Sequence, residues 1–266
     1  MNNIALGRYI PGNSLLHRLD PRIKIICMML LLVAIFIPTG FYGYLIITVV
    51  CLLALRIAKL SISFVIKALR PMMVMMIMLM IINLLVVKTG NLLINIAGFT
   101  IYDGAVFQTL YIFIRLVLMI LITTILTATT KPLDLTLGIE DLLTPLARFK
   151  VPAHEIAMMI SIAIRFIPTL IEETQRIMKA QASRGVDLKE GKFKEKIAAI
   201  LSLIVPLFVS SFQRAEDLAN AMEARGYVPD AQRTRYKQLH ITAGDIVVLC
   251  LVSLLLIMLI ILAIIL

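Results

Sequence analysis

No acidic residue occurs between Pro21 and Tyr102, none between Gly104 and Leu133, and none after Asp245. Proton- and sodium-coupled carriers usually hold carboxylates inside the membrane, so this gap argues against a self-contained pump. The chain has no tryptophan and only three cysteines, Cys27, Cys51 and Cys250. All three lie in apolar runs, without metal-ligand spacing, and read as small buried hydrophobes. His17, His154 and His240 are scattered and have no neighbouring ligands, so neither a metal nor any other cofactor is expected. No P-loop is present. The nearest stretch, Gly185–Phe193, has five residues between its glycines and a Phe where a hydroxyl belongs, so ATP chemistry must reside in a partner. Ser14 and His17 lack a triad context and are read as capping or interfacial contacts.

What is present is apolar surface. Of 266 residues, 61% are hydrophobic, well above the share in a soluble domain. The expected fold is an all-α polytopic membrane protein with about five transmembrane helices and cytosolic amphipathic helices. The net charge of +10 reads as cytosolic loop bias. No basic surface is interleaved with aromatics, so no nucleic-acid partner is expected. Residues 1–24 carry Arg8, Arg18, Arg22 and Lys24 and precede an apolar run without a small-residue cleavage site, so the first helix is taken as retained.

Asp20-Pro21 predicts an N-cap followed by proline at the first helical position. The uncharged run Ile25–Leu55 is broken at Pro38-Thr39-Gly40 and predicts two short helices, roughly 22–38 and 41–58. A basic connection over 56–70 follows. Further spans are expected at Met72–Val87, about 104–130 and Ile246–Leu266. The positive-inside rule puts the N-terminus, 56–70 and 131–240 in the cytosol and the C-terminus outside. The chain divides accordingly into 1–130 with four spans, a cytosolic domain over 131–240, and a last span over 241–266.

Most of the charged residues fall within 131–240. A short amphipathic helix, Leu133–Phe149, leads into two longer ones. The apolar runs Ala153–Ile171 and Ile197–Phe212 are read as staying on the cytosolic side. If they crossed, seven basic residues between them would be exported. One stripe runs Ile156, Ile160, Ala163, Ile167, Leu170, Thr174, Ile177, Gln181. A second, 41 residues on, runs Ile197, Leu201, Ile204, Phe208, Ser211, Ala215, Leu218, Met222. Such four/three spacing is a packing seam. Both stripes arrive in phase at an Arg-Gly end: Ala182-Ser183-Arg184-Gly185 and Ala224-Arg225-Gly226. Glycine past a helix end with a cation in the last turn is an ordinary terminator. Two matching ends suggest that each guanidinium enters an acidic groove on a partner, which Lys would not imitate.

These two ends, together with the stretch from Tyr9 through Ser14, His17, Asp20, Pro21 and Arg22 to Lys24, resemble the transmembrane (T) component of energy-coupling factor (ECF) transporters, over essentially the whole chain. The resemblance implies a scaffold that links two ABC-type ATPases to a small membrane substrate-binding S component for import of vitamins or other micronutrients. It also implies that the chain itself is no enzyme. Arg184 and Arg225 would seat in the two ATPases, flanked by their Ala, Ser and Gly neighbours; Ser183 stands where Ala is common. A stand-alone channel or carrier is the alternative; a membrane-embedded enzyme lacks any cluster to support it. Met72, Met73, Met75, Met76, Met78 and Met80 are flexible side chains suited to a repacking surface for several S components. Arg115 is the one ionisable residue well inside a span and is expected to be paired structurally, although the sequence names no partner.

Overall fold

The computed structural model describes residues 9–96, 99–144, 153–185, 193–228 and 239–265. Among these the helices are α1 Leu15–Arg18, α2 Pro21–Phe36, α3 Gly40–Ala58, α4 Ile62–Val86, α5 Asp103–Thr129, α6 Pro132–Leu143, α7 Ala153–Ser183, α8 Phe193–Ala224 and α9 Ala243–Ile265. The all-α expectation holds, with one addition. Strands β1 Leu92–Ile96 and β2 Phe99–Tyr102 pair antiparallel between α4 and α5, where only a connection was expected.

Helix starts follow their capping chemistry. Asp20 accepts the Arg22 N–H at 2.9 Å, with Pro21 at the first helical position, as the sequence predicted. Ser14 caps α1 in the same way, and Ser61 caps α4. The Ser61 cap moves the start of α4 well upstream of the apolar run at Met72. Most of the basic stretch 56–70 is therefore helix, with Lys67 and Arg70 on the early turns and Pro71 inside. The turn itself is only Lys59–Ser61, and Lys59 closes α3 at φ 55°.

Five helices among the described residues are long and apolar enough to cross a membrane: α3, α4, α5, α9 and the stretch Lys196–Ala224 of α8. The number matches the expectation, but the membership differs. Helix α2 has 16 residues, about 24 Å at 1.5 Å per residue, short of the ~30 Å of hydrocarbon. Helix α8 qualifies by length and composition.

The helices form two compact units, one of α7 and α8, the other of the remaining elements. In the larger unit α2, α3, α5 and α9 share a core around Ile35, Tyr44, Ile47, Cys51, Leu118, Ile122 and Leu259. Helix α4 packs on α5 but turns most of its surface outward. Helix α6 lies against α2, where Gly138 has no side chain to hold off Pro21 and Ile25. Cys27 and Cys51 are buried as expected, whereas Cys250 is exposed on α9.

Candidate functional site

The two Arg-Gly ends are built alike. Helix α7 has 31 residues and α8 has 32, and each is followed by an Arg and a Gly. Gly185 sits at φ +82° and Gly226 at φ +73°, the left-handed region that a Cβ disfavours. At the first end the Arg184 and Gly185 N–H groups donate to Gln181 and Ala182, both at 3.0 Å. At the second, the Arg225 N–H donates to Met222 at 3.1 Å and the Gly226 N–H to Glu223 at 2.9 Å. The Tyr227 N–H also returns to the Met222 carbonyl at 2.9 Å, the wide hydrogen bond of a Schellman ending.

Ala182, Ser183, Arg184, Gly185, Ala224, Arg225 and Gly226 are all exposed. Among the described residues neither guanidinium meets a carboxylate or a hydrogen-bond acceptor, and no atom lies within 4 Å of the Cβ position of either glycine. The Ser183 hydroxyl donates back to the Lys179 carbonyl at 3.0 Å, so it lies along the helix and keeps the tip narrow. The ordinary helix-end geometry is therefore real. It presents each arginine on a small, open tip.

Polar contacts set the sense in which the two helices meet. The Gln181 side chain donates to the Ser202 carbonyl at 3.2 Å, and Arg214 donates to Glu173 at 3.2 Å. Position 181 faces 202 while 173 faces 214, so the helices run antiparallel where they touch. Arg184 and Arg225 consequently point toward opposite ends of the pair, on the order of 40 Å apart along its length from the helical rise.

The expected seams hold only in part. Leu170, Thr174, Ile177 and Gln181 are half-buried on α7, as are Ser211, Leu218 and Met222 on α8. Ile160, Ala163, Ile167, Ile197, Leu201, Ile204, Phe208 and Ala215 are exposed. The first half of α8 instead turns Ala199, Leu203, Leu207 and Ser210 inward. Nearly every position there is apolar, so apolar spacing alone selects no phase.

The N-terminal residues singled out with the arginine pair form a second constellation, in the larger unit. His17 Nε2 donates to the Ile10 carbonyl at 3.0 Å, which leaves Nδ1 to accept the Ser14 hydroxyl at 2.6 Å. Ser14 and His17 are thus structural, as expected. Gly12 fits under the His17 ring, which would lie 2.9 Å from a Cβ. The Ile10 N–H donates to the Ala128 carbonyl near the end of α5. Lys24, buried, donates to the Thr129 carbonyl at 3.1 Å and to the Thr130 hydroxyl at 3.3 Å. Arg22 grips Asp20 through Nε and Nη2, reaches the Leu239 carbonyl at 3.1 Å, and pairs with Asp141 at 3.4 Å. Asp245 completes the knot by accepting the Asp20 and Thr242 N–H groups, each at 2.7 Å. This convergence of α2, α5, α6 and α9 was missed from sequence, because its members lie up to 225 residues apart.

Arg115 also acquires named neighbours. Its Nε donates to the Tyr44 hydroxyl at 2.9 Å, and its guanidinium lies 5.2 Å from the ring centres of both Phe36 and Tyr111. Tyr111, one helical turn earlier, was the legible signal; Phe36 and Tyr44 belong to other helices. In the run from Met72 to Met80, Met76 is buried and Met72, Met73, Met75 and Met78 are exposed.

Comparison with known proteins places these features in context. The family described as CbiQ, cobalt transport protein, matches residues 12–236. The energy-coupling factor transporter transmembrane protein EcfT of Bacillus subtilis is 44% identical over 245 residues, 92% of each chain. Its namesakes from Macrococcus caseolyticus and Lactococcus lactis subsp. cremoris are each 43% identical, over 90% and 92% of both chains respectively.

Proposed function

The chain belongs to the CbiQ family and is a transmembrane component of an energy-coupling factor transporter, and from that premise we propose that it couples two partner ATPases to a membrane-embedded substrate-binding subunit. The observation that carries this reading is the pair of exposed arginines, Arg184 and Arg225, on matched glycine-closed tips that point toward opposite ends of an antiparallel helix pair. One tip per ATPase makes a two-ended lever. Each guanidinium enters an acidic groove, where its planar fork holds a carboxylate bidentately and the small Ala182, Ser183 and Ala224 let the helix end approach closely.

ATP hydrolysis stays with the partners. Their motion is received at the tips, carried along α7 and α8 through the coupling domain, and delivered to the S component, which selects a vitamin or another micronutrient. Under this reading the N-terminus and α7–α8 lie on the cytosolic side and the C-terminus on the other, in keeping with the basic loops. The exposed methionines of α4 offer one deformable surface to S components of different shape.

The test is co-purification in mild detergent. The wild-type chain should bring down two ATPases and a small hydrophobic protein, and Arg184→Glu with Arg225→Glu should lose the ATPases. Stoichiometric ATPases on the double variant, or a solitary chain that moves solute in vesicles, would refute the coupling role.

A further inference from the structure

Among the described residues, Arg115 is paired with no carboxylate. It lies in α5, whose one carboxylate, Asp103, stands about three turns away at the helix start; α2, α3 and α4 carry no Asp or Glu, and Asp245 of α9 is bound to Asp20 and Thr242. Its polar and ring contacts among the described residues are a phenol and two ring faces, all neutral: the Tyr44 hydroxyl at 2.9 Å and the Phe36 and Tyr111 rings at 5.2 Å. The Tyr111 hydroxyl adds to the same polar knot. These groups orient the guanidinium and screen one side of it. They do not neutralise it.

The position along the membrane says what can. Phe36 is the last residue of α2, and Tyr44 lies one turn inside α3, so Arg115 sits level with the tip of the α2–α3 hairpin. Aromatic side chains gather there: Phe41 stacks edge-on against Phe107 and Tyr111, and Phe36, Tyr42 and Phe107 are more than half exposed. Such a cluster marks the level of lipid headgroups. The hairpin is also short. Its first helix spans about 24 Å, several ångströms less than the hydrocarbon core, and a short span draws headgroups inward toward its tip.

We propose that Arg115, held by Tyr44 between Phe36 and Tyr111, is a binding site for the phosphodiester of one phospholipid in the leaflet that meets the α2–α3 tip. The guanidinium spends Nε on Tyr44 and keeps its amino groups for the phosphate oxygens, the planar arrangement that suits Arg better than Lys. The bound lipid sets the height at which the short hairpin rides in the bilayer. This inference needs only that the chain is a membrane protein, not the coupling role above.

The test is native mass spectrometry of the purified full chain. Three probes are used: phosphatidylglycerol, a diglucosyl diacylglycerol with the same acyl chains and no phosphate, and inorganic phosphate. The wild-type chain should hold one phosphatidylglycerol about fivefold or more tightly than the glycolipid. Arg115→Gln should abolish that preference, and Arg115→Lys should keep part of it. Tyr44→Phe leaves the charge in place but unfixed and should weaken retention about two- to threefold. The wild-type comparison of the two lipids requires no variant to fold. Equal retention of both lipids overturns the proposal. Displacement by millimolar inorganic phosphate also overturns it, since the site would then take a free anion. Release of a co-purified membrane protein by Arg115→Gln, with lipid retention unchanged, makes Arg115 a protein-contact residue and equally overturns it.

Discussion

Asp245, fully buried in the first turn of α9, accepts the backbone N–H of Asp20 at 2.7 Å, while the side chain of Asp20 caps α2 and holds Arg22. One carboxylate therefore joins the start of the last helix to the start of the second. Replacing Asp245 by Ala leaves the Asp20 N–H and both Thr242 donors unpaired and should cost about 2–4 kcal/mol. Asn keeps one acceptor oxygen and should cost less. Thermal unfolding in detergent measures both, and an unshifted Asp245→Ala midpoint would show that the bond adds nothing.

Gly138 is a second fixed point. A Cβ there would lie 3.1 Å from Pro21 Cβ and 3.3 Å from the Arg22 nitrogen, the latter on the helix backbone. Gly138→Val should push α6 off α2 and cost about 1–3 kcal/mol. The Arg22–Asp141 pair should loosen with it, read out as faster amide exchange in α6.

Arg184→Glu and Arg225→Glu should leave the unfolding midpoint unchanged, because neither guanidinium has a partner within the described chain. ATPase retention should fall with each and fall further with both, by about 2–5 kcal/mol per buried contact. A variant that lost stability and ATPases together would assign these arginines to the fold.

Gly185→Ala and Gly226→Ala should each cost about 1–2 kcal/mol locally, since both positions are left-handed. Nothing crowds either site, so the penalty is backbone conformation alone, and Asn should recover part of it. Faster exchange confined to the last turns of α7 and α8 is the expected signature.

The Arg214–Glu173 pair is about a third exposed on its arginine side. A double-mutant cycle should return about 0.2–1 kcal/mol, falling with salt.

Local chemistry was readable from the sequence, and long-range pairing was not. Asp20-Pro21 announced the start of α2, and the two glycines announced the ends of α7 and α8, because caps and left-handed turns are decided within a few residues. The N-terminal stretch stood out as a string, but its role as a knot depends on Asp245 and Asp141, which no local rule connects to Asp20 and Arg22. Arg115 shows the boundary. The sequence named no partner for it: Tyr111, one turn away, was within reach of a local rule but was not singled out, while Tyr44, 71 residues distant, required the fold. The facing stripe of α8 could not be phased where Ile, Leu, Val and Phe fill almost every position. The β1–β2 pair escaped because its strands are only five and four residues long, so the stretch after Val87 read as a connection between two spans.

The unit of α7 and α8 interrupts a unit that depends on α9 for closure. A ribosome therefore emits α2 long before its neighbour α9 exists, and Asp20 must wait for Asp245 until all of α7 and α8 have been made. During that interval the flank of α2 that will meet α9 is open to lipid or to the insertion machinery. Truncation within α9 should therefore expose a quality-control signal at the opposite end of the chain, around Asp20 and Arg22, and not only at the cut.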